Sequence, residues 1–316
     1  MTHPASYLRL GALALLWGAS FLLIKVALGA LSPVQVAFTR IALGATVLLL
    51  LCALRGARPG GDRRLWLHVA VAGLFASALP WALLGIGERT VDSGLAGALN
   101  ATTPLWTVLI GYVAGTQRRL PPRALAGLGL GFAGALLISA PWHGAAAGLG
   151  VLACLGAAAS YGVAYVHIGR NLAGRPGAPA PLALAAMQLT AATGIAALAL
   201  PLDGLPAVRF APLPLLAVAV LGVFGTGVGF ALNYRLIADE GPTAASTVTY
   251  LMPVVSVLLG TLVLDERLGW RVLLGMALVL AGVALNRRRA ASSRSPRLDR
   301  VAARAYSRAA TEHPMK

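Results

Sequence analysis

The chain has 316 residues, of which 58% are hydrophobic and 11% are charged, and its formal net charge is +16 at pH 7. A soluble domain carries about 25% charged residues, so this composition excludes a soluble enzyme, a DNA-binding protein and a disordered regulator. The mean hydropathy of +0.78 predicts a chain that is solvated by lipid.

Apolar runs separated by charged residues, Pro and Gly predict ten membrane-spanning helices, since a bilayer core needs roughly 20 apolar residues per helix. The predicted spans are 8–29, 33–54, 65–87, 92–114, 123–139, 148–170, 181–200, 214–237, 241–264 and 270–286. Alternating ten-residue patterns are absent from the sequence, so these segments are helices and not barrel strands. The first run is too long, and too weakly basic at its start, for a cleaved signal peptide.

The distribution of Lys and Arg predicts how these spans are oriented. Most of the 26 basic residues fall on the side of the two termini. The opposite side holds only Arg89, Arg209, Arg267 and Arg271. We therefore expect a multi-pass protein of the inner cell membrane with both termini in the cytoplasm. The basic tail, residues 287–316, is expected to be disordered and to lie on anionic lipids, and no nucleic acid is expected as a partner.

The two halves of the apolar region share a spacing of residues. Trp17 in the first span aligns with Tyr161 in the sixth, and Pro104 in the fourth aligns with Pro253 in the ninth. The predicted repeats are 8–139 and 148–286. Each repeat holds five spans, an odd number, so the second repeat enters the membrane inverted. Inverted repeats are typical of secondary transporters, because two similar half-structures give two open states of similar energy.

Several motifs in these repeats also carry a resemblance to a known family. They are Trp17-Gly18, Lys25, Arg40, Thr103-Pro104-Leu105, Met252-Pro253, Asp265-Glu266-Arg267-Leu268, Gly275 and Gly282. In these positions the chain resembles the drug/metabolite transporter superfamily, in its ten-helix EamA-type branch. The resemblance covers residues 8–286 and implies an all-α integral membrane transporter. Members of this family move amino acids, nucleobases, drugs and other metabolites, so the resemblance selects no substrate.

The matched prolines, Pro104 and Pro253, predict a substrate pathway near the middle of the membrane. A proline frees a helix carbonyl, which in lipid needs a new partner or a wet cavity. Polar and aromatic residues on the first, fourth, sixth and ninth spans extend this predicted pathway. They are Trp17, Ser20, Phe21, Asn100, Thr103, Thr107, Tyr161, Tyr165, Ser246, Thr249, Tyr250 and Ser256. Kinks, core packing and hydrogen bonds between helices are the alternatives for these residues.

Two basic residues lie inside predicted spans, Lys25 and Arg40. They are expected either to attract the anionic group of a substrate or to snorkel and cap carbonyls at the outer side. Their counterparts in the second repeat are uncharged. These are Gly169 for Lys25, and Leu189 or Thr190 for Arg40.

The acidic residues and the histidines bear on proton coupling. All ten acidic residues, Glu88 among them, fall at span ends or outside the spans, so a buried carboxylate for a proton relay is not expected. His167 lies inside the sixth span, and its titration range suits a proton-coupled step, although a structural role is the commoner one for a lone His. Facilitated diffusion, exchange and proton antiport all stay open.

Catalysis, cofactors and metals are not expected. Cys52 and Cys154 lie in apolar runs and predict buried free thiols. Gly129, Gly131 and Gly134 spell a dinucleotide-binding motif, but they sit in an apolar helix and indicate close helix packing. The predicted function is export of a small amphipathic metabolite, amino-acid-like, nucleobase-like or drug-like, by alternating access. Alternatives are a lipid-flipping protein, an accessory membrane protein without transport, and an intramembrane enzyme. A homodimer is compatible with these features.

Overall fold

The computed structural model describes residues 4–116, 119–139, 145–173, 179–240, 247–267 and 269–292, and these residues contain no β-strand. The α-helices are α1 Pro4–Ala27, α2 Pro33–Leu54, α3 Arg63–Gly73, α4 Leu79–Gly87, α5 Ser93–Asn100, α6 Thr103–Val113, α7 Pro122–Ser139, α8 Ala145–Asn171, α9 Pro181–Ala199, α10 Pro212–Val220, α11 Gly229–Glu240, α12 Val248–Leu264 and α13 Trp270–Ser292. Two π-helical segments, π1 Leu74–Ala78 and π2 Leu221–Val228, join α3 to α4 and α10 to α11. A short 3₁₀ turn, Leu200–Asp203, follows α9.

The lengths of the apolar helices are those expected of a membrane protein. Six helical stretches in the described residues are long and apolar enough to cross a bilayer. They are Ala5–Ala27, Pro33–Leu54, Arg63–Gly87, Gly148–Asn171, Pro181–Asp203 and Pro212–Ile237. Shorter apolar helices are Pro122–Ile138, Val248–Leu264 and Trp270–Leu285.

The two matched prolines have different local structures. The predicted span 92–114 is divided into α5 and α6 at Ala101 and Thr102, just ahead of Pro104. Pro253 lies inside α12, which continues through it. Ser246 and the tail beyond residue 292 are outside the described residues.

The start of α2 is fixed by a capping box. Ser32 Oγ accepts a hydrogen bond from Gln35 N, and Gln35 Oε1 accepts one from Ser32 N. Pro33 follows at the first helical position, where its missing N–H has no cost. Gln35 Nε2 also donates to Pro206 O at 2.7 Å, which holds the loop before α10 against α2. These bonds set the position of α2, which carries Arg40.

Contacts between helix ends define two ends of the bundle. At the distal end, where α1 finishes at Ala27, Arg209 N donates to Ala30 O at 3.1 Å. At the proximal end, where α1 begins, Arg9 forms an ion pair with Asp239. The largest buried apolar cluster lies between these ends and joins α1, α2, α4, α5, α8 and α9.

Cys52 and Cys154 are both free and buried, as the sequence predicts.

Helices α7 and α13 pack against each other through glycines. A Cβ atom on Gly134 would lie 2.6 Å from Gly275 O, and one on Gly282 would lie 2.5 Å from Gly127 O. Close backbone approach of this kind stabilises helix pairs in lipid, where apolar burial adds no driving force. The glycines that spell a dinucleotide motif therefore lie on a packed helix.

We expect Gly134→Ala to destabilise the protein by about 1–3 kcal/mol, because the added methyl group has no space against α13. The measurement is thermal unfolding of the purified protein in detergent. The matched control is Gly129→Ala on the same helix, since a Cβ there meets nothing within 4 Å. Equal unfolding midpoints for the two variants would contradict the close contact at Gly134.

Candidate functional site

A cavity of about 510 Å³ lies between the helices. This volume falls in the range of about 300–1,000 Å³ that is usual for small-molecule sites. Its walls come from every α-helix except α3, α7 and α10, together with both π-helical segments. Aromatic rings form much of the wall, and no acidic residue is among its described lining residues.

Most of the residues predicted from the sequence come together in this cavity. Those that line it are Trp17, Ser20, Phe21, Arg40, Asn100, Thr103, Pro104, Thr107, Tyr161, Tyr165, Thr249 and Tyr250. Lys25, His167, Pro253 and Ser256 are not among the lining residues. Whether the lining residues bind substrate stays a prediction.

The predicted residues outside the lining have local partners. Lys25 Nζ donates to the backbone carbonyls of Glu88 at 2.7 Å and Val91 at 2.8 Å, which is the carbonyl-capping alternative. His167 Nε2 lies 3.1 Å from His68 O, and the two imidazole rings are 5.3 Å apart. These contacts give both side chains a structural role outside the cavity.

The hydroxyl group of Ser256 forms a hydrogen bond within its own helix. Ser256 Oγ donates to Pro253 O at 3.0 Å and is fully buried. The same hydroxyl occupies the space that a Cβ atom on Gly97 would need. Ser256 and Pro253 therefore bring α12 close to α5, at a glycine that leaves room for them.

Arg40 is the charged residue of the cavity lining. Its side chain is only 5% exposed, and its Cζ atom lies 3.8 Å from the centre of the Trp81 ring. Its Nε and Nη2 atoms donate long hydrogen bonds to Thr226 Oγ1, both at 3.4 Å. The ion pairs among the described residues do not include Arg40. The guanidinium is thus fixed in place by a ring and a hydroxyl, without an ion pair to a carboxylate among the described residues.

Trp81 supports this arrangement and was not predicted from the sequence. Its Nε1 atom donates to Tyr161 Oη at 2.6 Å, so one indole contacts both a cavity tyrosine and the Arg40 guanidinium. The signal that could have found it is a tryptophan inside a span, the same signal that selected Trp17.

The two π-helical segments accept hydrogen bonds in a matched way. Trp17 Nε1 on α1 donates to Gly225 O in π2 at 3.1 Å, and Ser160 Oγ on α8 donates to Phe75 O in π1 at 2.8 Å. A π-helical turn is wide, and such turns are frequent at functional sites. Here each wide turn gives a helix of the other half a backbone partner.

A second matched pair joins α2 and α9 to the same segments. Arg40 on α2 donates to Thr226 in π2, and Gln188 on α9 donates to Ser77 Oγ in π1 at 3.4 Å. Gln188 also lines the cavity. Gln188 thus bonds to π1 as Arg40 bonds to π2, one or two residues from Leu189 and Thr190, which the sequence spacing aligns with Arg40.

Glu88 corrects the expectation that a buried carboxylate is absent. It follows the last residue of α4, and its side chain is 0% exposed. Neither carboxylate oxygen has a hydrogen-bond partner among the described residues. The turn that carries Glu88 packs closely against α8. A Cβ atom on Gly87 would lie only 2.9 Å from Gly150 O. The Glu88 side chain, at the end of the predicted span 65–87, is therefore surrounded by protein and not by water.

Burial perturbs the carboxyl groups of this turn, which lies just outside the span. It raises the pKa of Glu88 well above its ordinary value, although the nearby Lys25 ammonium acts in the opposite direction. Burial, followed by the charge of Glu266, also raises the pKa of Asp92. Both groups therefore hold protons more tightly than the same carboxyls do in the unfolded chain.

Glu266 fastens the same region from the opposite side. Its carboxylate accepts hydrogen bonds from Ser93 N at 2.7 Å and Gly94 N at 2.9 Å, at the start of α5. A carboxylate at a helix N-terminus satisfies free N–H groups and complements the helix dipole. Lys25 on α1 and Glu266 after α12 together tie the 88–94 segment to two other helices.

The cavity is closed at the distal end. Its lining residues on that side, Ile24 and Leu84, are 1% and 3% exposed. Towards the proximal end the lining includes Tyr165, which is 56% exposed, and the half-buried Ile237. Among these lining residues, the exposed fraction is larger on the proximal side than on the distal side.

Sequence comparison shows the family of this helical protein. The profile of the EamA-like transporter family matches residues 6–140 and, a second time, residues 148–288. The chain belongs to the EamA-like transporter family. Its apolar helices and this membership make it a membrane transporter, and family and relatives alike are named for transport and not for catalysis.

Similar proteins match this chain over most of their length. An uncharacterized inner membrane transporter of Escherichia coli, YedA, is 26% identical over 87% of this chain and 88% of its own. An uncharacterized transporter of Bacillus subtilis, YvbV, is 25% identical over 88% and 90% of the two chains. A crystal structure of another protein, 23% identical, superposes with a TM-score of 0.63 over 93% of this chain and 100% of its own, and it shows a shared fold.

Proposed function

We propose that this protein exports a small amphipathic metabolite that carries an anionic group, by alternating access. The transport unit is two inverted repeats of five spans, residues 8–139 and 148–286, and the substrate binds in the central cavity. The observation that carries the proposal is Arg40, a buried guanidinium that lines the cavity without an ion-pair partner among the described residues.

The pairing of helices supports an inverted repeat. Exchange of the first five spans with the second five turns the contact of α1 with α12 into that of α8 with α6, and both contacts occur. It likewise turns the contact of α4 with α8 into that of α11 with α1. The pairs α2 with α9 and α7 with α13 map onto themselves. The matched bonds to π1 and π2 follow the same exchange.

The lining supports an amphipathic anion as substrate. Arg40 offers donors for a carboxylate or phosphate, and the rings of Trp17, Trp81 and Tyr161 offer apolar surface. Asn100 Oδ1 is buried and has no hydrogen-bond partner among the described residues, so it can accept from a substrate donor. An amino-acid-like, nucleobase-like or drug-like molecule with a negative group fits these features.

The side on which the cavity is accessible is the side from which an exporter takes its substrate. The predicted orientation puts the proximal end in the cytoplasm, because most basic residues lie on that side. A cavity reached from the proximal end then takes substrate from the cytoplasm. The relative YedA is named an inner membrane transporter, which supports the same location for this chain.

Three indoles of similar size and different charge test the proposal. We expect indole-3-acetate, an anion, to bind more tightly than indole-3-acetamide or tryptamine, as measured by calorimetry on the purified protein. Arg40→Gln should lower the affinity for indole-3-acetate by tenfold or more, which is about 1.4 kcal/mol of binding free energy. It should leave the affinity for the neutral indole-3-acetamide unchanged. Arg40→Lys keeps the charge but loses the planar guanidinium, so it is the matched control. It should lose less of the affinity for indole-3-acetate.

Transport is then measured in liposomes with labelled indole-3-acetate. Equal affinity for the three indoles in wild type and in Arg40→Gln would contradict an anion site at Arg40. Binding of none of them, with movement of labelled lipids between leaflets, would favour the lipid-flipping alternative. Neither binding nor flux of either kind would favour an accessory role.

A further inference from the structure

The Glu88 carboxyl group is a buried ionisable group that substrate binding does not use. It does not line the cavity, and it is fully enclosed between the end of α4, α1 and α8. Lys25 comes close to it but gives its hydrogen bonds to backbone carbonyls of the same turn. Ion pairs among the described residues do not include Glu88.

An enclosed carboxylate without hydrogen bonds is an unstable arrangement. Transfer of an unpaired charge from water into a protein interior costs several kcal/mol, so such a group takes up a proton instead. A neutral carboxylic acid has a much lower desolvation cost. The distal-closed structure therefore holds Glu88 as the protonated acid.

The charged and titratable groups around Glu88 act in both directions. Those that interact with it are Lys25 on α1, Arg40 on α2, Cys154 on α8 and Glu266 after α12, and Asp92 lies in the same loop. The two cations favour the carboxylate and Glu266 disfavours it. Burial outweighs the cations because neither of them reaches the carboxylate oxygens with a hydrogen bond.

We propose that Glu88 is a proton-binding site whose occupation closes the distal end of the transporter. This inference deepens the alternating access of the proposed function and rests on it. Distal closure buries the Glu88 side chain in the segment that Lys25 and Glu266 hold, and this burial requires one proton from the distal solution on the Glu88 carboxylate. Distal opening admits water, and the acid then releases that proton to the same solution.

The proposal fixes how the closed and open populations respond to pH. Closing binds one proton, so the ratio of closed to open protein falls by about tenfold per pH unit between the open-state and closed-state pKa values of the site. Below that window the ratio is constant, because both states are protonated. A neutral glutamine at position 88 has no proton to lose, so its ratio does not change with pH.

Spin labels at the distal end measure this ratio without any substrate. Arg89→Cys and Arg267→Cys place labels on two exposed residues at opposite sides of the closure, while Cys52 and Cys154 are 1% and 0% exposed and do not react. Distances are recorded by pulsed electron paramagnetic resonance in lipid nanodiscs from about pH 5 to about pH 9, a range that spans ordinary and raised carboxyl pKa values. We expect the long-distance population to grow with pH in wild type and to stay small in Glu88→Gln.

Three further variants make the test specific. Glu88→Asp keeps a carboxyl group and should keep a pH response. Asp92→Asn removes the other carboxyl of the loop, whose pKa is also raised, and Asp265→Asn removes a more distant exposed carboxyl; both should respond as wild type does. An asparagine also tolerates the left-handed conformation of Asp265, whose φ is 54°.

Infrared spectroscopy supplies a second readout that needs no labels. At neutral pH the wild-type protein should show the C=O stretching band of a protonated carboxylic acid, and Glu88→Gln should lack it. A wild-type distance distribution without pH dependence would overturn the proposal, as would an unchanged band in Glu88→Gln. A pH response that disappears in Asp92→Asn and persists in Glu88→Gln would overturn it too. Because no substrate is present, failure of the indole experiments leaves these outcomes fully interpretable.

Discussion

Replacement of Trp81 by alanine should lower the free energy of unfolding by about 3–5 kcal/mol, the usual effect of removing a buried aromatic ring. The indole is 5% exposed and has three roles: it packs in the core, faces the Arg40 guanidinium and donates to Tyr161. Its loss leaves Arg40 without its planar support. We therefore also expect the affinity for indole-3-acetate to fall by at least tenfold.

Two conservative variants separate these roles. Trp81→Phe keeps a ring under Arg40 and loses the hydrogen bond to Tyr161. Tyr161→Phe removes the acceptor of that bond and leaves the indole in place. Thermal unfolding and calorimetry on all three variants are the measurements. If the Trp81→Ala protein is folded and binds indole-3-acetate with the wild-type affinity, then Trp81 does not position the anion site.

The thermal stability of the wild-type protein should fall as the pH rises above the ordinary carboxyl range. Burial raises the pKa of Glu88, so the native state keeps a proton that the unfolded chain releases. Stability is therefore complete below the unfolded pKa and decreases as the pH rises towards the native one. Each pH unit in that window costs about 1.4 kcal/mol for one group.

Asp92 adds to this effect in the same direction, because its pKa is also raised. The comparison with Glu88→Gln isolates the part due to Glu88, since glutamine has nearly the same shape and no titration. Unfolding midpoints from about pH 5 to about pH 8 should fall more steeply in wild type than in the variant. Parallel lines for the two proteins would mean that Glu88 is not protonated in the native state.

Hydropathy could predict where the helices run, because lipid demands long apolar segments whatever their partners are. The six long apolar stretches all coincide with predicted spans to within a few residues. The cavity lining by Trp17, Thr103 and Thr107 also follows from helix faces that combine polar or aromatic groups with a matched proline.

Other features depend on tertiary contacts that the sequence does not display. Glu88 stands at a span end, where water is expected, and only the packing of its turn against α8 shows that it is enclosed. Lys25 has the same sequence context as a cavity residue, yet its ammonium finds two carbonyls outside the cavity. Gln188 is equivalent to Arg40 through contacts with π-helical turns, and hydropathy does not distinguish such turns from α-helix.

The fixed position of Arg40 has a consequence for the entropy of binding. A free arginine side chain has about 2 kcal/mol of rotamer entropy to lose when it is held in one geometry. The Trp81 ring and the Thr226 hydroxyl hold the guanidinium before any ligand arrives, so that loss occurs during folding. A site ordered in advance keeps more of its interaction energy as affinity. The strength with which this cavity holds an anion thus depends in part on a hydroxyl that bonds to the arginine and not to the anion.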